Sequence, residues 1–176
     1  MPLEKIKLQI STPTEPIPAG RGFYQLEDDC LFVQIGQFIS KRSFFSYLEA
    51  DKIHFDIDKT GKLIFFELEI PRRHWEKVES LISPEIIEPA DIRWLDFRKG
   101  IDLPTLITDK SQSKLKIQFQ ENGTSYNYYL GETIIAEVNK QNELTAIWVN
   151  NISDDFAGQE IRSFRKKNRL SKSYFI

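Results

Sequence analysis

Sulfur and imidazole are scarce in this 176-residue chain, which has one Cys, one Met and two His. A lone Cys30 closes no internal disulfide, so a stapled secreted scaffold is excluded and a reducing compartment is expected. No zinc spacing, phosphate loop, dinucleotide fingerprint or serine elbow occurs, so no cofactor is expected and an enzyme has little to stand on. Long apolar runs are missing too. Leu63 to Phe66 is typical of the longest, far short of the roughly 20 residues a membrane helix needs, so no membrane span is expected. Met1-Pro2-Leu3-Glu4-Lys5 has no apolar stretch behind a positive start, which makes the cytoplasm the expected location. Without export, the Asn-x-Ser/Thr triplets at Asn122 and Asn151 are chance matches.

What is present is core-building material. The chain is 40% hydrophobic and 12% aromatic, enough to bury a substantial core. Its net charge of −2 hides an asymmetry. Arg162, Arg165, Lys166, Lys167, Arg169 and Lys172 form a C-terminal run of +6 without an acid, leaving −8 on the rest.

Period-two alternation, the mark of a half-buried strand, recurs in Lys5 to Ile10, Leu31 to Ile35, Ile53 to Ile57 and Leu115 to Phe119. Turn chemistry falls between such runs: Asp58-Lys59-Thr60-Gly61 and Gln120 to Thr124, the latter holding Asn122-Gly123, read as hairpin turns. Helical signals are fewer. Pro71 suits a first helical turn, with Trp75, Val78, Leu81 and Ile82 on one face after it. Ser153 is a candidate N-cap with acids behind it, followed by Phe156, Ile161 and Phe164.

Laid over itself at an offset of 81, the chain aligns Ile53 with Ile134, Ile57 with Val138, the turn 58–61 with Asn139-Lys140-Gln141-Asn142, and Leu63 with Leu144. The expected fold is therefore α+β and mostly β: antiparallel meander sheets with one short helix per half and an internal duplication. Residues 1–82 and 114–176 would be the halves, with 83–113 a linker that packs on both, or the whole would be one compact domain.

In residues 23–71 the succession Phe23-Tyr24, Asp29-Cys30-Leu31-Phe32-Val33, Asp56-Ile57-Asp58-Lys59-Thr60-Gly61-Lys62-Leu63 and Glu67-Leu68-Glu69-Ile70 resembles a family of small uncharacterised prokaryotic proteins. That domain-of-unknown-function family has a tyrosine-bearing strand, Asp-x-Leu-Tyr-Ile, and an Asp-x-Asp-x-x-Gly-x-Leu hairpin. Phe32 stands where the pattern has tyrosine, and Gln37 to Ala50 is an insertion. The resemblance implies a small sheet with a packed helix and no particular activity.

Asp56 to Glu67 also places Asp56, Asp58, Thr60 and Glu67 at positions 1, 3, 5 and 12 of a calcium-loop pattern, with Gly61 at 6. Such loops are entered and left by helices, whereas Ile53 to Ile57 alternates as a strand. The acidic hairpin is therefore the expectation, with these four the only candidates for a metal and none bound. Across that hairpin Ile53, Phe55 and Ile57 should share one face with Ile64, Phe66 and Leu68. His54, Asp56, Phe65, Glu67 and Glu69 should share the other, which makes His54, Asp56 and Glu67 the catalytic candidates. Cys30 with His54 or His74 lacks an oxyanion turn and reads as a small buried hydrophobe.

Arg72, Arg73 and Trp75, and Arg93 with Trp94, put guanidinium beside indole, a pairing that suits partner hot spots or stacking. Arg165, Lys166, Lys167 and Arg169 are the candidates for phosphate contacts. An acidic body without catalytic motifs points first to a protein-binding module, of the immunity or antitoxin kind, whose partner is another protein and basic. Nucleic acid through residues 162–172 comes second, and a hydrolase using His54 and nearby carboxylates third.

Overall fold

The computed structural model describes residues 5–36, 44–50, 52–95, 99–100, 103–121, 123 and 125–155. Its strands are β1 (Leu8–Ser11), β2 (Gly20–Gln25), β3 (Cys30–Ile35), β4 (Phe44–Ala50), β5 (Ile53–Asp58), β6 (Leu63–Leu68), β7 (Glu76–Lys77) and β8 (Asp91–Trp94). There follow β9 (Lys99–Gly100), β10 (Thr105–Thr108), β11 (Leu115–Gln118), β12 (Tyr126–Gly131), β13 (Ile134–Val138), β14 (Leu144–Val149) and β15 (Ser153–Asp155).

They form a seven-stranded sheet in the order β15-β2-β3-β6-β5-β4-β9, a six-stranded sheet in the order β12-β13-β14-β11-β10-β7, and the ribbon β1-β8. Every second residue of the long strands feeds one hydrophobic cluster drawn from both large sheets. Leu31, Val33, Phe55 and Phe66 come from the first, and Leu115, Ile117, Ala136, Ile147 and Val149 from the second. The sheets close tightly at one point, where a Cβ on Gly131 would lie 3.0 Å from the Cα of Gly20. Only residues without side chains fit there.

One strand order appears twice. The order β4-β5-β6-β3-β2 in one sheet is repeated as β12-β13-β14-β11-β10 in the other. The strand after each set then crosses to the opposite sheet: β7 pairs parallel with β10, and β15 pairs parallel with β2.

The mostly-β expectation holds, with 51% of the structure in strands and 2% helical, but the two helices do not. After Pro71 the chain makes a single 3-10 turn, Arg72–His74, and then runs extended into β7. The Trp75 indole donates to Ile70 O at 3.0 Å and Val78 N donates to Thr108 O at 3.0 Å. The second bond claims a backbone N–H that a helix would have used on itself, and the first pins the indole beside the end of β6. The supposed apolar face is split, since Trp75 is buried while Ile82 is 74% exposed. Ser153 opens β15, not a helix. Phe156, Ile161 and Phe164 lie outside the described residues.

Two turn expectations part company. Asp58 to Gly61 does join paired strands, β5 and β6. The strands beside Gln120 to Thr124 are not neighbours: β13 and β14 lie between β12 and β11. A one-residue bulge after Asp56 also pairs Ile57 with Leu63, so Ile64 leaves the register expected of it and Leu63 joins the core instead. Residues 83–113, expected as a linker, supply β8, β9 and β10.

Candidate functional site

Alternation on β5 turns His54 and Asp56 away from the shared core, and the antiparallel register sets Glu67 of β6 directly opposite His54. The imidazole Nε2 stands 3.1 Å from Asp56 Oδ2. The sequence-expected trio is thus assembled on one face. A carboxylate beside an imidazole fixes its tautomer and can hold a proton, the chemistry of a general base. Access is restricted, however: Asp56 and Glu67 are 2% and 5% exposed, and the tilted pair Phe32–Phe65 is fully buried on the same face. Cys30 offers no nucleophile there. Burial, reinforced by the Glu67 carboxylate, pushes its thiol far up, and a thiol that stays protonated is inert. His74 is exposed in the 3-10 turn.

The calcium-like spelling has a local use. Asp58 Oδ1 accepts from Thr60 N at 2.8 Å, Thr60 Oγ1 at 2.6 Å and Lys62 N at 3.1 Å. Thr60 O accepts from Arg93, and Gly61 takes φ +91°. Asp58 is thereby folded into its own turn, while Asp56 and Glu67 point from the sheet face. Among the described residues no three His, Cys, Asp or Glu side chains gather closely enough to hold an ion.

The guanidinium–indole neighbours separate in space. Trp75 and Trp94 are 3% and 2% exposed. Trp75 packs edge-on against Tyr24 with ring centroids 5.7 Å apart, and Arg72 lies over the Tyr24 ring at 3.9 Å while pairing with Asp154 at 2.6 Å. Arg72 N donates to the Tyr24 hydroxyl, which donates to Asp29, and Arg73 pairs with Asp29 in turn. Burial raises the Tyr24 pKa, and the Tyr24 hydroxyl with Arg73 lowers that of Asp29. The network ties β2 to β15. Arg93 donates through Nε to both oxygens of Asp91, which lowers the Asp91 pKa. Of the five residues, Arg73 remains the most open, with its side chain 66% exposed. Arg165, Lys166, Lys167 and Arg169 lie outside the described residues.

The surface feature that sequence reasoning missed is the segment between β7 and β8. Ile82 and Ile86 are 74% and 82% exposed, among Glu79, Glu85 and Glu88 and without a basic residue from 78 to 90. The segment is held along its length. Lys114 Nζ donates to Leu81 O at 3.1 Å, Ser83 Oγ donates to Asn150 Oδ1 at 3.0 Å, and Glu88 exchanges backbone bonds with Asn127 and Tyr129. Pro84 and Pro89 were the available signal: they forbid a helix there and so remove the buried face that would have hidden the isoleucines.

No protein-family model matches the chain, and no curated protein matches it. No helix among the described residues is long and apolar enough to cross a membrane.

Proposed function

We propose that the protein is a cytoplasmic protein-interaction module, of the immunity or antitoxin kind, that docks a basic partner through residues 78–90. One observation carries the reading: Ile82 and Ile86 stand in water on a segment whose backbone is tied to the six-stranded sheet. Burying an isoleucine side chain is worth about 1.5–3 kcal/mol, which a partner would recover without first ordering the segment. Three glutamates around the pair favour a basic rim on that partner and speed its approach.

The test is retention of a partner by tagged protein in its source-cell extract, followed by reconstitution with the purified partner. Expected is a basic protein that stays bound at about 1 M salt, where the Debye length is about 3 Å. Ile82→Ser/Ile86→Ser should release it without lowering the melting temperature. Equal binding by that variant would overturn the reading. Binding that collapses with salt and copurifies nucleic acid would support the alternative through residues 162–172.

We also propose that the two sheets are copies of one five-strand unit. Their common strand order supports this, as does the bulge that recurs at Thr145, 81 residues after Ile64. Crossing of β7 and β15 between sheets would make the copies interdependent. Co-expressed 1–82 and 83–176 should then assemble, and either alone should not fold.

A further inference from the structure

A cavity of about 250 Å³ lies on the opposite side of the hairpin β5–β6 from the His54 face, beneath the strap of residues 12–19 that joins β1 to β2. It falls below the range of about 300–1,000 Å³ that receives drug-sized molecules, so its occupant is smaller. Its floor is apolar, made by Ile35, Leu63, Ile92 and Leu130, which come from β3, β6, β8 and β12. Its roof carries Pro13, Pro16 and Pro18, whose rings fix φ and hold the strap open at little entropic cost.

Charge enters at one place. Lys62 projects into the lining with only 26% of its side chain exposed, and its Nζ lies 3.3 Å from Glu15 Oε2 and 3.9 Å from Asp91 Oδ1. The two carboxylates differ in commitment. Asp91 is bound by both Arg93 and Ser11, whereas Glu15 reaches down from the strap with its side chain 68% exposed. An ion pair with so exposed a member is weak and readily exchanged. Lys62, by contrast, is partly desolvated and retains its need for an anion when Glu15 swings away.

We propose that this cavity binds a small amphipathic carboxylic acid. Its apolar body lies on Leu63 and Leu130, and its carboxylate takes from Lys62 the place that Glu15 holds in this structure. Glu15 is then a built-in competitor. The acid would bind in competition with it, and the charge balance at Lys62 and Asp91 would be unchanged by the exchange. A cationic ligand would instead have to displace the less exposed Lys62 from Glu15.

The test uses phenylacetate, its neutral amide and phenethylamine as probes against the full chain labelled with ¹⁵N. Phenylacetate should shift the amides of Gly36, Leu63 and Leu130 saturably, with a Kd on the order of 1 mM. Phenylacetamide should bind about tenfold more weakly or worse, as loss of a charge-assisted bond implies. Lys62→Met should abolish saturation. Glu15→Gln, on the exposed strap, should tighten phenylacetate about two- to fivefold, the factor an exposed ion pair is worth. The proposal falls if phenethylamine binds as tightly as the acid, if Glu15→Gln leaves the affinity unchanged or weaker, or if nothing saturates by about 10 mM.

Discussion

The hairpins β5–β6 and β13–β14 turn through the same geometry with different side chains. In the first, Asp58 N donates to Lys62 O and Gly61 N to Asp58 O. In the second, Asn139 N donates to Glu143 O and Asn142 N to Asn139 O. Asp58 Oδ1 accepts from Thr60 N and Lys62 N, and Asn139 Oδ1 from Gln141 N and Glu143 N. The fourth position takes positive φ in both, +91° at Gly61 and +58° at Asn142. Even the clamps correspond: Trp94 N donates to Gly61 O, and Leu8 N to Asn142 O. A neutral Asn thus does in one turn what Asp58 does in the other. The turn needs an oxygen acceptor at its first position and a left-handed residue at its fourth, and negative charge is not part of that requirement. Of the residues that make Asp56 to Glu67 look like a calcium loop, Asp58, Thr60 and Gly61 are accounted for by turn formation.

The sharpest contrast lies at the fourth position. A Cβ at Gly61 would meet Trp94 O at 2.8 Å in a backbone conformation that already disfavours side chains. Gly61→Ala should therefore cost about 2–3 kcal/mol. Asn142→Ala meets only the conformational penalty, about 1 kcal/mol. Midpoints of urea unfolding measure both. Equal costs would show that the ribbon β1-β8 does not press on the first turn.

These hairpins were also the most legible part of the fold, because a turn is decided by the residues inside it. Asp58 with Gly61, flanked by Ile53 to Ile57, carries its own conformational code, and the alternation that put His54, Asp56 and Glu67 on one face survived intact. Local signals failed where distant partners decide. Asn122-Gly123 has the spelling of a tight turn, yet Leu115 to Gln118 finds its partners in β10 and β14. Trp75, Val78 and Leu81 are spaced for a helix, yet Trp75 is drawn down against Tyr24 and Val78 is bonded to Thr108. Burial on both faces was likewise hidden. Phe32 and Phe65 lie on the face where alternation expects water, and nothing within β3 or β6 announces what covers them. The exposure of Ile82 and Ile86 escaped for the reverse reason, since Ile82 was assigned to the apolar face of a helix and residue 86 to a linker expected to pack on both halves.

Exchange of the first residue of each turn should have a smaller effect. Asp58→Ala removes three hydrogen bonds and should cost about 1–2 kcal/mol, while Asn139→Ala should cost about 1 kcal/mol. Asp58→Asn keeps the acceptor and should cost less than about 0.5 kcal/mol, which turns the first hairpin into the chemistry of the second. About 1 mM calcium should leave the melting temperature of wild type and Asp58→Asn alike. A rise confined to wild type would show that the acid has a ligand after all and would break the equivalence.

The smallest expected effect comes from the clamps, where the turns differ in what can titrate. The first turn is braced by Arg93, which donates to Thr60 O while bound to Asp91; the second is held by Leu8 N, which donates to Asn142 O. The hydrogen bond from Arg93 lowers the Asp91 pKa below the ordinary value of about 3.9. The sign follows from which state protonates first. Above about pH 5 Asp91 is ionised folded and unfolded, and its stabilisation is fully present. As pH falls through 3.9 the unfolded chain takes up the proton first. The advantage shrinks and is gone once the folded carboxyl protonates too. Hydrogen exchange reads each clamp separately. Protection of the Trp94 amide, corrected for intrinsic rate, should fall between about pH 5 and pH 3 more than that of the Leu8 amide, because the first clamp leans on the Arg93–Asp91 pair. Asp91→Asn should remove the difference. Asp29, lowered by Tyr24 and Arg73, titrates in the same window but away from both turns, so it weakens the two amides together and leaves their ratio unaffected. A ratio that stays constant down to about pH 3 would mean that Arg93 braces the turn without help from the charge of Asp91.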